Sequence, residues 1–161
     1  MQSRESSANR PRFRNLYLAT SLLAAPFGVL VATANDVPGP SIHAEIEGIQ
    51  GSDGDIACAF FHSADGFPVA PSPEAAVTVT VPIRDEGASC VLPDAAPGRY
   101  AIAAIHDANG NGDLDRNWLG IPTEGYGFSE NARAILGAPS FRVASFPFDG
   151  NELFLTIRLH Y

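Results

Sequence analysis

Asp107, Asn109, Asn111, Asp113 and Asp115 place side-chain oxygens at every second position of the stretch Asp-Ala-Asn-Gly-Asn-Gly-Asp-Leu-Asp. Hard oxygen donors at that spacing let one short loop wrap a hard cation such as calcium at about 2.4 Å. Asp107, Asn109 and Asn111 fall at the first, third and fifth positions of the calcium-loop pattern, Gly112 at the turn in the sixth, Leu114 at the apolar eighth and Asp115 at the ninth. Asp113 would supply its backbone carbonyl. Position twelve, where the pattern places a bidentate Glu, is Trp118. Closure then needs a carboxylate from elsewhere, and Glu124 is the candidate; without it the affinity belongs in the range of about 0.1–1 mM. The competing reading is that Asp and Asn here make side-chain-to-backbone turns, with Gly110 and Gly112 at positive φ. Repulsion among three carboxylates packed into so short a stretch favours the cation.

Other side chains offer weaker chemistry. Trp118, Tyr126 and Phe128, beside acidic residues, could form a platform for a sugar ring, or they could be the loop's own small core. His106 precedes the loop and shares strand parity with Tyr100, Ile102 and Ala104, which suits a hydrogen-bonded residue that orients Asp107. His43, His62 and His160 are scattered, and no His-x-x-x-His or Cys/His cluster exists to hold zinc. Ser63, Ser129 and Ser140 lack a nucleophile-elbow context, and no acid–base pair stands apart from the acidic loop. The chain therefore reads as a non-enzyme, with a hydrolase as the least supported function.

These residues sit in a strongly acidic chain. Residues 1–34 hold Arg4, Arg10, Arg12 and Arg14, an apolar run from Leu16 to Val31, and Ala32-Thr33-Ala34. They read as a secretory signal cleaved after Ala34. Pro26 and Gly28 interrupt the run, which is short against the roughly 20 apolar residues of a bilayer span, and an uncleaved N-terminal anchor is the alternative. Residues 35–161 then form one domain, exported to the periplasm or beyond the cell. Without the leader, which takes four of ten basic residues and one of eighteen acids, the net charge is −11, and there is no lysine. Nucleic acid and anionic membrane surfaces are disfavoured as partners, whereas cations, a protein or an uncharged glycan fit better. In an exported chain Cys58 and Cys90 suggest one disulfide, stabilising by about 3–4 kcal/mol. Two buried thiols are the alternative.

From Ser41 onward, short alternating or apolar segments separated by Gly, Pro and Asp predict strands. Ile42, Ala44 and Ile46 alternate with polar residues; Ile56 to Phe61 is apolar on both faces, as a central strand would be. Val77 to Ile83 alternates but contains Pro82, which suits an edge. Ser89 to Leu92 is short, and Pro97-Gly98 turns the chain into Tyr100 to His106. In the last strand Leu153, Leu155, Ile157, Leu159 and Tyr161 oppose Phe154, Thr156, Arg158 and His160. Alternation disappears from 107 to about 140, where Trp118, Leu119, Ile121, Tyr126, Phe128, Ile135 and Leu136 give an ordered loop apolar side chains to bury. A helical turn is expected over Glu130 to Leu136, capped by Ser129. About seven strands fit an all-β, two-sheet antiparallel sandwich of immunoglobulin-like or transthyretin-like character.

Several stretches together resemble a family of exported bacterial proteins, domain of unknown function number 2141. They are Phe60 to Pro68 (Phe-Phe-His-Ser-Ala-Asp-Gly-Phe-Pro), Leu92 to Tyr100 with its Pro-Gly-x-Tyr end, His106 to Gly112, Leu119 to Ser129, and Pro139-Ser140-Phe141. The resemblance implies an exported β-sandwich and lends no activity. Pro97-Gly98-Arg99-Tyr100 also resembles the turn-to-strand step of carboxypeptidase-regulatory-like sandwiches, a likeness of fold alone.

Overall fold

The computed structural model describes residues 39–133 and 137–161. The leader read at 1–34, and Ile135 and Leu136 of the expected helical turn, lie outside the described residues.

Burial follows the sequence alternation. In β1 (Ser41–Glu47) Ile42, Ala44 and Ile46 are buried while Glu45 and Glu47 face solvent. The doubly apolar β2 (Asp55–Phe61) lies inside the larger sheet, between β3 (Ala76–Pro82) and β5 (Gly98–Asp107), and β3 occupies the edge that its proline suits. The smaller sheet has the order β4–β1–β8, with β4 at Ala88–Pro93 and β8 at Glu152–Arg158. Leu153 and Leu155 of β8 pack on the core and Ile157 is fully buried, as their shared face requires.

Two expectations are corrected. The sandwich is not antiparallel throughout: β1 pairs antiparallel with β4 but parallel with β8. Among the described residues β1 and β8 are the first and last strands, so the larger sheet, together with β4, lies within the long crossover that parallel neighbours need. Among the described residues the strands also number eight rather than about seven, in sheets of three and five. Six of them match the segments traced in the sequence; the other two, β6 (Tyr126–Phe128) and β7 (Phe146–Phe148), have three residues each, too few for alternation to show.

Both short strands lie along the same edge of β5, β7 against Gly98–Tyr100 and β6 against Ala103–Ile105. Between them the Ile102 N–H is covered by a side chain. Ser129 Oγ accepts it at 2.8 Å and donates to the Ala144 carbonyl at 2.6 Å, in full burial. Ser129 is thus a substitute rung in the ladder and not the expected cap: it opens a 3-10 turn, Ser129–Asn131, whose N-cap is Phe128 with no side-chain bond. Ser129→Ala leaves a buried donor and acceptor unmet, so we expect a loss of about 2–3 kcal/mol. A urea midpoint that falls with an unchanged slope would report it; an unmoved midpoint would show the hydroxyl to be dispensable.

The main core lies between the sheets and draws on Ile42, Ile46, Ile56, Phe60, Ile102 and Ile157. A second cluster covers the outer face of the larger sheet, where Phe67, Phe128 and Phe141 pack on Ala59, Phe61, Ala76 and Ala103. This cover explains why β2 is apolar on both faces. Cys58 of β2 and Cys90 of β4 form a disulfide that fastens one sheet to the other.

Candidate metal centre at the 107–126 loop

β5 delivers His106 and Asp107 to the pole of the sandwich where β1 ends and β2 begins. His106 is nearly sealed from solvent: Nε2 donates to the Asp53 carbonyl and Nδ1 pairs with the Tyr161 hydroxyl, each at 2.8 Å. Both ring nitrogens are engaged, as expected for a residue that fixes the strand end. Gly54 lies against the same point at φ +73°, and a Cβ there would run into the Asp107 carbonyl and Ala108 Cα. Only glycine lets the chain pass so close.

The loop is then built from side-chain-to-backbone bonds. Asp107, 5% exposed, accepts the Asn111 N–H on Oδ1 at 3.0 Å and the Gly112 N–H on Oδ2 at 2.8 Å. Asn109 Oδ1 accepts from Asn111 N–H at 3.0 Å and Asn111 Oδ1 from Asp113 N–H at 2.8 Å. Gly110 and Gly112 have positive φ, at 73° and 83°. The Asn109 and Asn111 amide nitrogens donate to the two oxygens of Asp115, at 2.6 and 3.2 Å. Asp107, Asn109, Asn111 and Asp115 are therefore brought into one bonded group. Glu124, 7% exposed, reaches the loop from below, where Oε1 accepts the Ala108 N–H at 2.9 Å and Oε2 the Asp115 N–H at 3.0 Å. It joins the two ends of the nine-residue stretch. Among the described residues, no three His, Cys, Asp or Glu side chains are grouped so as to hold a metal by themselves. Any cation would depend on the asparagine and backbone oxygens as well.

Beyond Asp115 the chain doubles back, with Arg116 bridged to Pro122 and the Thr123 N–H bonded to the Asp115 carbonyl at 2.9 Å. Asn117 shapes the tip, its Oδ1 accepting from Leu119 N–H at 2.9 Å and Ile121 N–H at 3.0 Å. The apolar side chains expected to bury here do not: Trp118 is 91% exposed, Leu119 60% and Ile121 55%. For these three the expectation is corrected, because polar side chains saturating backbone N–H groups order the tip in place of a core, whereas Phe128 does pack on the second cluster. The three aromatics do not pack as one ring cluster. Tyr126 and Phe128 have ring centroids 6.0 Å apart, Phe128 packs towards Phe67, and Trp118 makes ring contact with neither.

Sequence reasoning missed Tyr161 and Asp53. Parity gives Tyr161 the same face as Leu153, Leu155, Ile157 and Leu159, and its hydroxyl accepts the Gln50 N–H at 2.8 Å while holding His106. No local pattern pairs residues so far apart in the chain.

Fold and site together define a small all-β sandwich carrying an oxygen-lined loop at one pole. The chain belongs to the family of uncharacterized proteins conserved in bacteria, DUF2141, whose model matches residues 44–154 and so spans this loop and the strands around it. No curated protein and no solved structure matches the chain.

Proposed function

We propose that this chain is an exported, non-catalytic structural or interaction module whose 107–126 loop is held by a calcium ion. The supporting observation is the bonded group around Asp115, into whose carboxylate Asn109 and Asn111 turn their amide N–H groups. Those dipoles offer Asp115 a weak form of what a cation would supply. Asp107, Asn109, Asn111 and Asp115, with the Asp113 carbonyl, would be the ligands. Glu124 already bonds two backbone N–H groups and would support the loop's ends, adding negative charge beneath the ion. Calcium bound at such a site acts by mass action on the folded state, and at a hundred times its dissociation constant adds about 2.7 kcal/mol. Export follows from the basic and apolar leader and is consistent with a disulfide-bonded core.

Trp118, three residues beyond Asp115 and open to solvent, can sensitise a bound lanthanide. We expect terbium luminescence on excitation of Trp118, displaced by calcium, together with a melting temperature that rises by several degrees in 10 mM calcium. Asp107→Ala should abolish both, and Asp115→Asn, at a less buried position, tests the site if the first variant does not fold. A melting temperature identical in calcium and in chelator, with no terbium emission, would end the proposal.

A further inference from the structure

We propose that the cleft lined by Glu47, Asn131, Arg133, Thr156, Arg158 and His160 binds a compact oxyanion, a carboxylate or phosphoryl group, with the Arg133 and Arg158 guanidiniums as its main donors. The cleft has a volume of about 280 Å³. It lies on the solvent face of β8, where alternation brings Thr156, Arg158 and His160 to the same side. Arg133 arrives from the segment after the 3-10 turn, and its Nη2 lies 3.0 Å from His160 Nε2. A guanidinium cannot accept, so Arg133 donates and His160 must present an unprotonated nitrogen.

Two of the six arginines in residues 35–161, a segment of net charge −11, thus meet at one cleft. Among the described residues Glu47 is the one carboxylate lining it; it stands 3.6 Å from Arg158, with both side chains more than half exposed, a geometry that contributes little. Among the described residues Arg133 forms no salt bridge. Asn131, at φ 46°, fixes the cleft against the free edge of β8: its Oδ1 accepts the Arg158 N–H at 2.9 Å and its Nδ2 donates to the Thr156 carbonyl at 3.3 Å. The arginines therefore project from a braced backbone. Planar guanidinium forks match carboxylate and phosphoryl oxygens in pairs. An extended polyanion would meet the repulsion of the whole chain, whereas a compact anion responds to the local field.

Partial burial, then Arg133 and Arg158, hold His160 below the ordinary imidazole range. An anion seated on the guanidiniums offsets their charge, so His160 should titrate at higher pH when the cleft is filled. The inference is independent of the calcium reading, and its test uses metal-free buffer. The full-length protein is titrated with sodium phosphate and separately with sodium acetate at constant ionic strength, chloride making up the balance, while NMR follows the His160 ring and Arg158 side chain. We expect saturable shifts at both residues and a raised His160 titration. Arg133→Gln with Arg158→Gln should weaken binding about tenfold or more. Glu47→Gln, an exposed change that removes the competing carboxylate, should tighten it and serves if the arginine variant does not fold. Saturation by phosphate alone assigns a phosphoryl ligand, by acetate alone a carboxylate, and by both a general oxyanion site. Chloride-like, non-saturating shifts, or unchanged binding in the arginine variant, overturn the proposal.

Discussion

Glu124→Ala lowers the stability of the folded chain by about 3 kcal/mol, even in chelator. The side chain is buried, and each carboxylate oxygen takes one backbone N–H, from Ala108 and from Asp115. Charge-assisted bonds of this kind contribute about 1.5–3 kcal/mol apiece, and their removal leaves two donors without a partner. Glu124→Gln, which keeps one acceptor and turns an amide group towards the other N–H, should fall between the variant and the parent. Thermal unfolding in chelator separates this effect from any metal, and the alanine variant should melt about 10 °C or more below the parent. A difference of under 2 °C would mean that Glu124 does not join the loop's ends.

Glu124 also shows how far a sequence reading of the site can go. The absence of a carboxylate at Trp118 forces a search along the chain, and the structure does bring Glu124 to the loop, though as an acceptor for backbone N–H groups. Spacing alone could not separate that role from ligation, because an oxygen that bonds an N–H and one that binds a cation have the same residue type. The strands divide in a similar way. β1, β2 and β8 are long enough for one or both faces to be written in their apolar positions, whereas β6 and β7 take their conformation from the edge of β5 that they complete. Trp118, Leu119 and Ile121 misled for a physical reason: apolar composition speaks for burial only where backbone hydrogen bonding does not already order the turn, and Asn117 does that here.

The second large effect concerns the bond between the sheets. Cys58→Ala with Cys90→Ala should cost about 3–4 kcal/mol, the loop-closure entropy of a crosslink spanning 32 residues. Both cysteines are fully buried, so alanine is preferred to serine, which would add an unpaired hydroxyl to the core. Urea unfolding of the oxidised parent against the variant measures the difference. A value below about 1 kcal/mol would show that the main core holds the sheets together without the crosslink.

The parallel pairing of β1 with β8 fixes an order of events. β1 is the middle strand of the smaller sheet, and one of its two neighbours, β8, is the last strand among the described residues. During synthesis that sheet must wait for its final member, and a topology so rich in distant pairings folds slowly. Under the export proposed above, that delay would keep the chain open while it is threaded through a translocation channel.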